Sequence, residues 1–119
     1  MRVGNNLEER LLEFAVSVGD YVRALPNDRT GTHVAKQMLR CGTAPAAIYS
    51  EARDAESPRD YVHKMKLGLK ELREALFWSR FAHQSRLEPQ DAANRICAEC
   101  DQLIAIFVTC IKRARGRGD

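Results

Sequence analysis

Residues 57–81, SPRDYVHKMKLGLKELREALFWSRF, constrain the fold most strongly, because they predict one long amphipathic helix. Ser57 can cap this helix, Pro58 suits its first position, and Asp60 carries the negative charge that a helix N-terminus favours. Small or apolar residues then recur at steps of three and four, namely Tyr61, Met65, Gly68, Leu72, Ala75 and Ser79. Such a face needs partner helices, and small residues such as Gly68 and Ser79 let a partner approach closely.

Three further helices are predicted around this one. The first is capped by Asn5 or Asn6 and ends near residue 25. The second is capped by Thr32 and ends near residue 54, and the fourth begins at Pro89 and ends near residue 113. Because the connections are short, consecutive helices are expected to be antiparallel neighbours. We therefore predict an all-α protein with an antiparallel up-down-up-down four-helix bundle, formed as a single domain by residues 1–113 and followed by a basic C-terminal tail, residues 114–119.

Hydropathy and cysteine placement point to a cytoplasmic protein. No apolar run is long enough to cross a bilayer, and the N-terminal residues lack the apolar core of a signal peptide. We therefore expect no membrane partner. The four cysteines lie within apolar helical patterns, which favours reduced thiols packed in the core over a disulfide framework.

The positive charge is concentrated in two parts of the chain. Residues 57–87 hold seven Lys or Arg against three acids, and residues 112–119 hold four against one, whereas the net charge of the whole chain is only +3. Several cations on one surface can contact the phosphates of a nucleic acid. The alternative is a solvated basic face that the acidic fourth helix balances. The cations that we assign to a nucleic-acid-binding surface are Lys64, Lys66, Lys70, Arg73, Arg80, Lys112, Arg113, Arg115 and Arg117.

The third helix carries more apolar side chains than one core needs. Leu67, Phe77, Trp78 and Phe81 lie off its main apolar face. Surplus apolar surface of this kind often marks a subunit interface. We therefore predict that these four residues take part in self-association. The alternative is that the aromatic rings fold over the end of the bundle.

No residue pattern predicts catalysis, a metal site or a cofactor. Cys97 and Cys100 form a CxxC pair, but they lie inside an apolar heptad with no second pair nearby, so core thiols are expected. Glu71 and Glu74 are flanked by Lys and Arg, which favours ion pairing over acid–base chemistry. The three histidines do not fall at metal-ligand spacing. We therefore predict a protein that is not an enzyme, with no catalytic residues, no metal ligands and no cofactor.

Two stretches of the chain resemble the signatures of a known bacterial family. Residues 37–44 read QMLRCGTA and residues 60–74 read DYVHKMKLGLKELRE, with Phe77 and Trp78 following. They are similar to the motifs of the "four helix bundle protein" group, the 23S rRNA intervening-sequence protein family, which includes relatives of the accessory protein of diversity-generating retroelements. The resemblance covers nearly the whole chain. Cys41 and Gly42 stand where paired alanines are usual, and residues 47–52, AIYSEA, lack the asparagine and final glycine of the family's box.

The resemblance implies an antiparallel four-helix bundle and a homo-oligomeric ring of five subunits. The retroelement relatives are basic rings that bind RNA or DNA and a reverse transcriptase, so the implied partners are a second copy of the chain, nucleic acid and a protein. The resemblance also implies that Arg40 pairs with Glu71 or Glu74 and fixes the register of the second and third helices.

Together the residues and the resemblance favour a non-enzymatic homo-oligomeric bundle that binds the phosphate backbone of RNA or DNA through its basic face. The alternative is a protein-interaction scaffold with no nucleic-acid role. An enzyme is the least favoured hypothesis, because no nucleophile, metal cluster or phosphate-binding loop is evident in the sequence.

Overall fold

Four α-helices make up the chain in a computed structural model, which describes residues 3–116, with side chains from residue 6 onward. They are α1 (Val3–Ala24), α2 (Arg29–Arg53), α3 (Pro58–Gln84) and α4 (Gln90–Arg115). Residues 3–116 contain no β-strand. The predicted all-α four-helix bundle is therefore confirmed.

The cap of α3 is the one that the sequence predicts. Ser57 has extended backbone angles, and its Oγ accepts a hydrogen bond from the backbone N–H of Asp60 at 3.0 Å. Pro58 is the first helical residue, where its missing N–H costs nothing. The pKa of Asp60 is lowered because its carboxylate accepts a hydrogen bond from the backbone N–H of Glu56 and lies against Lys64.

The predicted starts of the first two helices are wrong. For α2 the cap is Asp28 instead of Thr32, because the Asp28 Oδ1 atom accepts a hydrogen bond from the backbone N–H of Gly31 at 2.7 Å. The helix therefore begins four residues early, at Arg29. Helix α1 begins at Val3, ahead of the predicted asparagine caps. Helix α4 continues to Arg115, two residues past the predicted domain end at 113, and its Ala114 is still buried.

Side-chain contacts between the helices show the up-down-up-down order. Helices α1 and α2 run antiparallel, since Arg53 contacts Glu8 at one end and Gly42 lies against Val18 further along. Helices α3 and α4 also run antiparallel. The small residues predicted in α3 lie where α4 approaches it. Gly68 lies against the ring of Phe107, and the Ser79 Oγ atom is 3.1 Å from the Cys97 Sγ atom.

The core runs along the bundle axis and draws on all four helices. Its fully buried side chains include Leu11, Met38, Leu72 and Phe107, one from each helix. Helix α1 packs closely on α2 but makes far fewer contacts with α4. The bundle is 49 × 25 × 19 Å. No helix in the described part of the chain has the length and apolar character needed to cross a bilayer.

Candidate nucleic-acid interface

Four exposed cations form a continuous line along the outer side of α3, here called the α3 stripe: Lys66, Lys70, Arg73 and Arg80. They are four, three and seven residues apart, spacings that keep side chains on one side of an α-helix. From first to last they cover about 21 Å at 1.5 Å per residue. The structure thus brings together four of the nine cations that the sequence predicted for binding.

The acidic residues of α3 are engaged elsewhere, which leaves the α3 stripe without a carboxylate partner in residues 6–116. The Arg40 guanidinium of α2 contacts the carboxylates of both Glu71, at 2.9 Å, and Glu74. Asp60 pairs with the Lys64 Nζ atom at 3.2 Å. The four stripe cations are therefore not held in salt bridges in this part of the chain, although Arg40, Glu71 and Glu74 together leave one net negative charge beside them.

The remaining predicted cations differ from one another in exposure and in location. Lys64 is half-buried and bound to Asp60, so it does not belong to the stripe. Lys112 and Arg115 are exposed at the end of α4, level with the start of α3 because these helices are antiparallel. Arg113 lines a different groove, together with Arg53 at the end of α2. Arg117 lies outside the described residues.

Arg40 contacts both of the α3 carboxylates that the resemblance names as its possible partners. Its two terminal nitrogens reach Glu71 and Glu74 on α3, and one of them also donates to the Gln37 Oε1 atom at 3.2 Å. The two carboxylates raise the pKa of the guanidinium. One arginine thus joins α2 to α3 across the surface of the bundle.

Replacing Arg40 with methionine is expected to lower the free energy of unfolding by about 0.5–1 kcal/mol, because the pair is half-exposed. Glu71 and Glu74 would then be left as like charges one turn apart. Urea unfolding of the wild type and the variant measures the loss. The Arg23→Met variant is the control, since Arg23 pairs with Asp20 on its own helix. Equal stability of R40M and wild type would contradict a role in holding α2 against α3.

An aromatic cluster continues the α3 stripe towards the end of the helix. The Trp78 ring stands edge-to-face with Phe77 at 4.9 Å and with Phe81 at 5.6 Å between ring centroids. On its other side Trp78 meets His33 of α2 at 5.2 Å. Trp78 is half-buried against the core, whereas 56% of Phe77 and 37% of Phe81 are exposed. The two phenylalanine rings therefore pack against Trp78 on one side and are exposed to solvent on the other.

Of the residues predicted for self-association, Trp78 is thus part of the packed structure, while Leu67, Phe77 and Phe81 are exposed on α3. Sequence reasoning missed a second exposed apolar pair, Leu12 and Val16, which lie one turn apart on α1 and are 59% and 57% exposed. Their four-residue spacing is visible in the sequence, but the core positions of α1 had already accounted for its apolar pattern. The structure therefore offers two apolar surfaces, on different helices.

The cysteines are free thiols in the described chain. Cys41 and Cys100 are buried, and burial raises their pKa, to about 12 for Cys41. Cys97 and Cys110 are half-buried, and the Cys97 thiol donates to Ser79. The CxxC pair thus lies on the packed side of α4. In residues 6–116 no three or more His, Cys, Asp or Glu side chains come together as a metal site.

A cleft of about 420 Å³ lies between α1 and α4. Phe14, Tyr21 and Ile96 form its apolar part, and Glu13 and Arg95 are exposed beside it. The Tyr21 hydroxyl is buried with no hydrogen-bond partner in the described residues, and burial raises its pKa to about 12. The Arg10 side chain bridges the cleft to Glu99 with two hydrogen bonds, of 2.7 and 2.8 Å.

Comparison with known structures gives a clear match to the fold. The chain is similar to a crystal structure of a protein of unknown function from the S23 ribosomal protein family of Bacteroides thetaiotaomicron, with a TM-score of 0.80. The two are 27% identical, and the match covers 89% of this chain and 98% of the other. No model of a known protein family matches the chain, and no curated protein sequence matches it. Membership of the 23S rRNA intervening-sequence family stays a prediction.

Proposed function

We propose that this protein is a non-enzymatic, homo-oligomeric helical bundle that binds the phosphate backbone of RNA or DNA through the α3 stripe. The observation that carries the proposal is that the stripe cations form no salt bridge in the described residues. Every acid of α3 is held by Arg40 or Lys64, and Lys66, Lys70, Arg73 and Arg80 face solvent on one line. Cations in such a line can contact successive phosphates and release their counterions.

Oligomerisation would strengthen this binding. The resemblance implies a ring of five subunits, and a ring repeats the α3 stripe around its axis, so individually weak phosphate contacts can add. The exposed Leu12 and Val16 of α1 supply apolar surface for such an assembly, on a helix other than the one that carries the stripe. Lys112 and Arg115 add exposed positive charge at the end of α4.

Neutralising two stripe residues is expected to weaken nucleic-acid binding and to reduce its dependence on salt. In the Lys66→Gln/Lys70→Gln variant, the slope of log K against log salt concentration should fall by about 1.4–1.8, since each lost phosphate contact contributes about 0.7 to 0.9. Fluorescence anisotropy with a labelled RNA hairpin and a labelled DNA duplex, titrated with salt, measures both quantities.

The control variant is Arg23→Gln/Arg95→Gln, which removes the same charge from exposed positions on α1 and α4. It should keep most of the salt dependence of the wild type. Equal losses in the two variants would mean that only total charge matters. Absence of binding at low salt, or affinity that does not change with salt, would overturn the proposal.

The second candidate function is a protein-interaction scaffold without nucleic-acid binding. The exposed Leu12 and Val16 on α1, with Leu39 on the neighbouring α2, favour it, because none of these side chains belongs to the core. This alternative predicts an assembly that forms normally in the charge variant and shows no affinity for RNA or DNA. The salt titration therefore separates the two functions.

A further inference from the structure

We propose that the nucleic acid bound by the α3 stripe is single-stranded, and that its unpaired bases stack on Phe77 and Phe81. This inference rests on the proposed function and narrows its ligand. It starts from position: Phe77 lies four residues after Arg73, and Phe81 four residues after Phe77, so both rings continue the line of the stripe.

The rings and the arginines share one groove. A shallow opening of about 390 Å³ is lined by Arg73, Leu76, Phe77, Arg80, Phe81 and Gln84. The two guanidinium groups have no carboxylate partner in residues 6–116, so both can bind phosphate. The Gln84 amide, exposed at the end of the groove, can donate to or accept from the edge of a base. The groove thus places cationic and aromatic groups within reach of the same few nucleotides.

The aromatic cluster holds its outer rings in fixed positions. Edge-to-face contacts with Trp78 restrain both phenylalanines, and Trp78 is itself fixed against His33 and the core. A pre-positioned ring loses little conformational freedom when a base stacks on it. Proteins that bind single strands combine aromatic platforms of this kind with a positively charged track.

Duplex nucleic acid cannot use these rings in the same way. In a double helix the flat faces of the bases are stacked on one another, and only their edges are open in the grooves. Phe77, with over half of its surface open to solvent, would then gain contact only with sugars and phosphates. An unpaired strand offers one base face for each ring and phosphates for the flanking arginines.

A second copy of the chain is the competing occupant of the aromatic cluster. Docking α3 against α3 would bring the four unpaired cations of one stripe close to those of the other, and burying unpaired charge is costly. The apolar pair Leu12 and Val16 offers a surface on α1 that lies apart from these cations. Charge therefore favours a polyanion over an α3–α3 contact at Phe77 and Phe81, and the measurement of oligomeric mass tests for any other contact with a second copy.

The test compares three ligands and two proteins. The ligands are a single-stranded oligonucleotide of about 12 nucleotides, an abasic version of the same strand, and the duplex of the same sequence. The proteins are the wild type and Phe77→Leu/Phe81→Leu, which keeps apolar bulk but removes the rings. Anisotropy at low salt gives the affinities, and light scattering gives the oligomeric mass. Thermal unfolding checks that both proteins are folded.

We expect the wild type to bind the intact single strand more tightly than the abasic strand. The leucine variant should lose at least about fivefold in affinity for the intact strand, and little for the abasic strand or the duplex. Salt-dependent binding that is equal for all three ligands and unchanged in the variant would overturn the stacking inference and leave the proposed function standing. A variant that changes its oligomeric mass but not its affinity would assign the rings to a second copy and also overturn the inference. Failure of every ligand to bind at low salt would overturn the inference and the proposed function together.

Discussion

Substituting alanine for Gly31 is expected to lower the free energy of unfolding by about 3 kcal/mol. A Cβ atom at this position would lie 2.0 Å from the carbonyl oxygen of Pro26, and backbone cannot move aside as a flexible side chain can. Relieving the clash would also disturb the hydrogen bond from the Gly31 N–H to Asp28, the cap of α2. The connection between α1 and α2 and the first turn of α2 would shift together.

The control is the same substitution at Gly19, within α1. A Cβ atom there meets nothing within 4 Å, so alanine should stabilise the protein by about 0.5–1 kcal/mol through its higher helix propensity. Urea unfolding of both variants should therefore show changes of opposite sign. A loss at Gly31 no larger than about 1 kcal/mol would mean that the turn after Pro26 accommodates a side chain.

Raising the pH from 9 to 12 is expected to destabilise the fold more in the wild type than in the Tyr21→Phe variant. Burial raises the pKa of Tyr21 from 10.0 to about 12 and that of Cys41 from 9.0 to about 12. Between these values the unfolded chain has lost protons that the folded chain keeps, so stability falls as the pH rises. Below pH 9 the contribution of these protonated groups to stability is fully present, and Tyr21 alone accounts for about 2 kcal/mol of the loss by pH 12.

Unfolding in urea at a series of pH values, followed by circular dichroism, measures this loss. Tyr21→Phe should be as stable as the wild type or more stable at pH 7, because the hydroxyl that it removes has no hydrogen-bond partner in the described residues. Cys41→Ala separates the contribution of the thiol, since burial raises the pKa of Cys41 to about 12. Identical alkaline midpoints for Y21F and the wild type would contradict a buried, titrating tyrosine.

The long third helix could be predicted from the sequence because its signals are local. Ser57, Pro58 and Asp60 form a start whose hydrogen bonds lie within four residues, and the small positions Gly68 and Ser79 lie where α4 approaches α3. The start of α2 was mispredicted because Asp28 and Thr32 are both capping residues. Only the geometry of the Asp28 side chain decides between them.

The candidate site was predictable in composition but not in arrangement. Lys64 and Lys66 look alike in the sequence, yet Lys64 pairs with Asp60 while Lys66 stays exposed. The four-residue spacing of Asp60 and Lys64 could have revealed that pair. No rule of sequence spacing predicts that Arg40, which lies on another helix, pairs with Glu71 and Glu74. Because of that contact between helices, the α3 stripe forms no salt bridge in residues 6–116.

The cleft between α1 and α4 affects which helix of the bundle unfolds locally first. Helix α1 is packed closely on one side only, against α2, and on the other side the Arg10 bridge to Glu99 spans a gap. Segments with few buried contacts open locally at a lower free energy than the rest of a domain. We therefore expect α1 to open at a lower free energy than the other three helices, and its amide hydrogens to exchange with solvent before those of α2 and α3.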